Sequence, residues 1–170
     1  GDEDAFEYLY NLYEKPIINH LYKMLGTKEL AEEVFQDVML TMIKKISFYS
    51  HRKELANAFK AWIFRIATNL AIDELRKIKK SKVLIENTFE DVVTDIAEEI
   101  IENDLSEKVG DYIMSLPLIQ RTFLNLKVKE DLSHLEIATI CGCNVNTVKQ
   151  GLFRARRTLK NIIVNEGVVL

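Results

Sequence analysis

Apolar residues recur at helical spacing through nearly the whole chain, and almost nowhere do they alternate as a half-buried strand requires. A first helix carries Phe6, Leu9, Tyr10, Tyr13, Ile17 and Leu21, with a bend expected near Pro16 and an end at Gly26. Thr27 stands ready to cap a second helix, whose Val34, Phe35, Val38, Met42 and Ile43 share one side. A third helix is expected from about Ala56 to Lys80, with Phe59, Trp62, Ile63, Ile66, Leu70 and Leu75 along it. Further on, Pro117 sits where a helix start tolerates it, ahead of Phe123, Leu124 and Leu126. The pattern predicts an all-α fold of two small helical bundles.

The most informative stretch lies between Asp131 and Lys160. Ser133 is a good N-cap for a short helix bearing Leu135, Ile137, Ala138 and Ile140. Gly142 permits a positive φ at a sharp turn, and Asn144 can cap the next helix. That helix places Val148, Leu152, Phe153 and Leu159 as apolar positions and carries Lys149, Arg154, Arg156, Arg157 and Lys160 with no acid among them. Two short helices around a glycine turn, the second strongly basic, are what a helix-turn-helix needs to enter a DNA major groove. A surface hairpin whose basic face merely meets water is the plainer alternative.

The net charge of −3 over 170 residues sits poorly with DNA binding until its distribution is considered. Residues 84 to 111 hold ten acids against Lys108 alone, a local net of −9, so the rest of the chain carries +6. The expected organisation is a helical domain over 1–83, an acidic linker over 84–106 and a helix-turn-helix domain over 107–170. No apolar run is long enough to span a membrane and no signal-peptide pattern opens the sequence, so a cytoplasmic protein is expected. Cys141 and Cys143 lie too close together to form a useful staple. With His134 they outline only part of a zinc site, which wants four ligands, so packing between the two helices is the expected role. No phosphate loop, nucleophile set or paired catalytic acids stand out; neither a cofactor nor an enzymatic activity is expected.

In the third helix Phe59, Trp62, Phe64, Arg65 and Asn69 precede Arg76, Lys77, Lys79, Lys80 and Lys82. Rings can stack on exposed bases, amides can read base edges and cations can meet phosphates, which suits melted DNA. On composition alone the Trp62 stripe reads more simply as core, and the lysine run as a solvated helix end.

Three segments, in order, resemble the extracytoplasmic-function group of bacterial RNA polymerase sigma factors. Residues 31–37 (AEEVFQD) resemble its core-polymerase-binding helix, and the Trp62 to Arg76 block its promoter-melting helix. The stretch from Leu116 to Leu159, with ThrValLys at 147–149 and ArgAlaArg at 154–156, resembles its −35-reading domain. The resemblance implies that Glu33, Gln36 and Asp37 meet the clamp helices of the polymerase largest subunit, with a further contact to the flap. It implies that Trp62 belongs to the melting site, that Asn69 contacts a −10 base, and that Arg65, Arg76 and Lys77 reach phosphates. It places Lys149, Gln150, Phe153 and Arg154 on the −35-facing surface. Arg156 and Arg157 fit backbone clamps. Partners implied are core RNA polymerase, promoter DNA and an anti-sigma factor.

Two departures stand out. The segment between Phe48 and Trp62 is longer than usual for the group, and it borders the pocket for a flipped −10 base. Gly151 stands inside the recognition helix where a larger polar residue is usual, as a close approach to DNA or as a tolerated weak point. An ordinary helix-turn-helix regulator, binding duplex operator without polymerase, and a helical protein-interaction module are the alternative classes.

Overall fold

The structure, a computed structural model, describes residues 2–82 and 105–165. The acidic linker expected over 84–106 falls almost wholly outside the described residues. Among those described there are seven α-helices and no strand. They are α1 (Glu3–Leu25), α2 (Lys28–Lys45), α3 (Ala58–Lys82), α4 (Leu105–Met114), α5 (Leu118–Val128), α6 (His134–Cys141) and α7 (Val145–Asn165). A single 3-10 turn (Ile46–Phe48) follows α2.

Local chemistry accounts for most boundaries. The Asp2 carboxylate accepts the Ala5 N–H at 3.2 Å and caps α1. Gly26, at φ +85°, closes the helix by donating its N–H to the Tyr22 carbonyl at 2.9 Å. The helix runs unbroken through Pro16. Thr27 holds the N-cap position of α2 in extended backbone, but its hydroxyl makes no cap bond; only its carbonyl engages, accepting the Ala31 N–H at 3.2 Å. Helix α3 starts two residues later than the apolar spacing predicts.

Helices α1, α2 and α3 pack on one another around Ile17, Leu21, Phe35, Val38, Ile63 and Phe64. Helices α5, α6 and α7 pack around Phe123, Leu126, Ile137, Val148 and Leu152. Ile43 is 49% exposed instead of joining Met42 in the core: at its place on α2 it points away from α1 and α3. Leu135 is 44% exposed, because the short α6 turns Glu136, Ile137, Ala138, Ile140 and Cys141 inward instead.

The two bundles are not apart. Helix α5 packs on α1 and α6 packs on α3, along a seam that contains buried polar groups. The His20 ring, fully buried, meets Thr68 Oγ1 at 2.9 Å and Asn125 Nδ2 at 3.4 Å, and packs on Phe64 at 5.3 Å between centroids. Because the amide of Asn125 donates to Nδ1, the imidazole donates from Nε2 to Thr68 and is neutral. Burial holds its pKa down at about 3. Arg121 places its guanidinium on carbonyls at the C-terminus of α1 (Lys23, 2.6 Å; Met24, 3.4 Å) and at the end of α4 (Met114, 2.9 Å; Leu116, 3.3 Å). It thereby satisfies helix-end acceptors that have no partner within their own helices. Lys60 Nζ bonds both the carbonyl and the carboxylate of Glu130, at 2.8 and 2.9 Å.

Candidate nucleic-acid and polymerase interface

The helix-turn-helix is built by two caps. The Ser133 hydroxyl accepts the Glu136 N–H at 3.2 Å while Glu136 Oε2 accepts the Ser133 N–H at 2.8 Å, a reciprocal box at the start of α6. The other Glu136 oxygen accepts the Asn57 N–H at 2.7 Å across the seam. Burial pushes the Glu136 pKa up, but the N–H donors of Ser133 and Asn57 outweigh it and hold the carboxyl below its ordinary value. Gly142, at φ +65°, makes the turn, donating its N–H to the Ala138 carbonyl. Asn144 Oδ1 then accepts the Thr147 N–H at 2.8 Å and caps α7, as the sequence predicts.

Helix α7 divides cleanly into two faces. Val148, Gly151, Leu152 and Ala155 are buried against α5 and its neighbours. Lys149, Gln150, Phe153, Arg154, Arg156 and Arg157 are all exposed, Phe153 by 68%. An apolar ring held so far out of the core is available for contact with a base methyl or sugar. Positive charge converges here. His134 has its pKa lowered first by burial and then by Lys127, Lys149 and Arg156. Gly151 is buried and faces the Phe123 ring, so its missing side chain serves packing within the bundle. Cys141 and Cys143 pack at the core, and burial pushes the Cys141 thiol well up, away from thiolate reactivity.

On α3 the outward stripe is Trp62, Arg65, Asn69, Asp73 and Arg76, successive positions one helical turn apart. Arg65 and Asn69 are exposed, and Trp62 is half-buried in an aromatic nest with Tyr49 at 5.1 Å and Phe59 at 5.4 Å. Tyr49 comes from the long segment after α2; its hydroxyl lies 3.3 Å from His51 Nδ1. Arg76 and Lys77 are engaged by acids on their own helix, Asp73 at 3.1 Å and Glu74 at 2.8 Å. The Glu74 hydrogen bond, then its charge, raises the Lys77 pKa, with Asp37 adding to it. Both pairs lie at the surface, where such bonds are weak enough for a phosphate to replace the acid. A cleft of about 450 Å³ brings Arg65 and Arg52 against Leu135, Ala138 and the turn residues 142–145, so the predicted −10 face and the recognition turn meet across the seam.

On α2, Glu33, Gln36 and Asp37 are exposed while Val34, Phe35 and Val38 are buried. The same outward stripe continues into Leu40 (53% exposed) and Ile43, a mixed acidic and apolar face that apolar spacing alone assigned partly to the core. The signal that could have shown it is phase. Positions 33, 36, 37, 40 and 43 fall on one side of a helix, with 34, 35, 38 and 42 on the other.

The long helices α3 and α7 expose basic and aromatic side chains, and α2 exposes an acidic face, all within one all-α fold. Residues 9–81 match Sigma-70 region 2, and residues 106–159 match Sigma-70, region 4. The chain is 34% identical to the ECF RNA polymerase sigma factor SigW of Bacillus subtilis, over 94% of this chain and 89% of that one. It is 31% identical to SigM of the same organism, over 94% and 95%. Its fold is similar to that of the sigma factor RpoE of Bartonella quintana, solved with the anti-sigma factor NepR. That similarity has a TM-score of 0.71 at 21% identity, covering 94% of this chain and 96% of that one. The chain belongs to the ECF RNA polymerase sigma factors. It binds core RNA polymerase and directs promoter recognition and DNA melting for transcription initiation.

Proposed function

We propose that the three exposed faces divide this work. Glu33, Gln36 and Asp37, extended by Leu40 and Ile43, meet the polymerase clamp helices. Residues 1–83 also read the −10 strand, with Asn69 on a base edge, Trp62 beside the melted strand, and Arg65, Arg76 and Lys77 on phosphates. Residues 107–170 read the −35 duplex and contact the polymerase flap. Lys149, Gln150, Phe153 and Arg154 meet base edges, and Arg156 and Arg157 the backbone. Residues 84–106 join the two parts. The observation that carries this assignment is the division of α7, whose basic and amide side chains all stand opposite its buried positions. The polymerase supplies the chemistry of RNA synthesis; this chain supplies promoter choice and melting in the cytoplasm. An anti-sigma protein covering the α2 face or the recognition face is a further partner.

The seam adds a conformational requirement. Elements named −35 and −10 lie about 25 base pairs apart, or about 85 Å at 3.4 Å per pair. A compact chain of this length has a radius of gyration of about 15–16 Å. Since α6 touches α3, the closed arrangement cannot reach both elements. The closed state is therefore the free protein, and promoter engagement parts the seam. The residues between α3 and α4 can reach about 80 Å at up to 3.6 Å each, enough to allow it.

The test is a matched pair of variants in reconstituted holoenzyme. Lys149→Ala and Arg154→Ala are expected to weaken −35 duplex binding by about 1–3 kcal/mol where a bidentate contact is lost, with core affinity unchanged. Glu33→Ala with Asp37→Ala is expected to lose core association first. Equal loss of core affinity in both sets would contradict the division.

A further inference from the structure

Gly151 lies between the turn of α7 that carries Lys149 and Gln150 and the turn that carries Phe153 and Arg154. It is buried, in line with Val148, Leu152 and Ala155. A methyl group on it would stand 2.5 Å from Phe123 Cδ2 and 2.7 Å from Cε2, while Phe123 Cγ would be 3.9 Å away. Carbon atoms in ordinary contact stay about 3.5–4.0 Å apart, so any side chain at 151 overlaps the ring edge by about 1 Å. The ring has little room to yield. Phe123 is 0% exposed, within the core that holds Leu126, Leu132, Ile137 and Leu152. Interiors at this density transmit such an overlap as a displacement of the packed elements.

We infer that Gly151 is a positioning residue for −35 reading. By accepting the Phe123 ring against bare backbone, it sets how close α7 lies to α5 and how the helix is rolled. It thereby fixes where Lys149, Gln150, Phe153 and Arg154 stand in the groove. The inference rests on the reading of α7 as the recognition helix. Interaxial distance between packed helices is set by the side chains at their contact, and here one partner contributes none. The consequence is selective. A base-edge hydrogen bond is good over only about half an ångström, so a 1 Å displacement one turn away degrades it. Arg156 and Arg157, acting on phosphates through charge, tolerate the same displacement. A side chain at 151 should therefore cost base discrimination more than salt-dependent affinity, a split that loss of stability alone would not produce.

The experiment uses holoenzyme on a duplex library randomised over the −35 hexamer, with Gly151→Ala, Phe123→Val, the two combined, and Lys149→Ala. Valine retains nothing beyond the Cγ position, which leaves ordinary contact with an alanine at 151. Gly151→Ala is expected to lose about tenfold to a hundredfold of −35 base discrimination, the equivalent of one bidentate contact, with core affinity and salt slope unchanged. The double variant is expected to recover most of it. A folded Gly151→Ala protein with the wild-type −35 ranking overturns the inference, as does a folded double variant that recovers nothing. If Gly151→Ala does not fold, Phe123→Val alone decides: a wider gap lets α7 settle inward and alters the ranking, and an unaltered ranking overturns the inference. Lys149→Ala without loss of discrimination would sink the recognition-helix assignment itself. Loss with Lys149→Ala but none with Gly151→Ala sinks only the positioning role.

Discussion

Replacing Arg121 by alanine tests the closed state at its strongest polar point. Arg121 is buried, and its guanidinium makes four hydrogen bonds to carbonyls, of which those of Lys23 and Met24 lie across the seam. Hydrogen bonds from a charged donor contribute about 1.5–3 kcal/mol each. The Lys23 bond is short at 2.6 Å, whereas the Met24 bond, at 3.4 Å, is at the limit of useful geometry. The seam therefore loses about one strong bond, or about 1.5–3 kcal/mol, and relief from burying a charge moves the figure toward the lower end. At 1.4 kcal/mol per factor of ten, the closed-to-open ratio falls by about 10- to 150-fold. The reporter is the Asn57 amide, whose N–H donates to Glu136 across the seam. Its hydrogen exchange in the free protein should accelerate by that factor, while amides in the middle of α1 keep their protection. An Asn57 amide that exchanges at the wild-type rate in a folded Arg121→Ala protein would show that Arg121 does not hold the seam closed.

Asn69→Ala is expected to impair promoter opening or −10 discrimination with −35 duplex contact intact; permanganate reactivity of the bubble reports it, and normal opening with unchanged preference would leave Asn69 structural. The seam should also weaken in acid. The folded pKa of His20, about 3, lies below the ordinary 6.5, so its burial contributes in full above pH 6.5 and is lost as pH falls toward 3. At pH 5 the loss is about 2 kcal/mol. The groups facing His20 from α3 and α5 are the neutral Thr68, Phe64 and Asn125, and the Glu136 carboxyl, held below its ordinary value, stays ionised at that pH. A lower Asn57 protection factor, taken relative to the intrinsic base-catalysed rate at each pH, is expected at pH 5 than at pH 7, and His20→Gln should abolish the difference.

Much of this architecture is legible along the chain, because helix caps and turns are local chemistry. Ser133, Gly142 and Asn144 act in the structure as their residue types require. The divided faces of α7 and α3 follow from spacing once each helix is placed. The seam does not. His20, Arg121, Asn125 and Glu136 are polar residues that a linear pattern assigns to water, and each is buried because a partner distant in the chain satisfies it. Thr27 shows the converse: a good capping residue whose hydroxyl finds no use where its carbonyl suffices. Ile43, next to Met42 in the chain, lies outside because its helical phase sets it with Glu33, Gln36 and Asp37 and not with Val34, Phe35 and Val38. The role of Gly151 depends on a ring 28 positions earlier in the chain, a contact that no local rule exposes.

The account rests on promoter choice by this chain within the polymerase, and run-off transcription from a promoter library randomised over both elements, with purified core enzyme, tests it most directly. With the wild-type chain, sequencing of the transcribed templates should recover two enriched elements at fixed spacing. Lys149→Ala with Arg154→Ala should flatten only the upstream element, and Asn69→Ala only the downstream one. Initiation no more selective than with core enzyme alone, or enrichment of one duplex site that the free chain binds equally well without polymerase, would contradict the account.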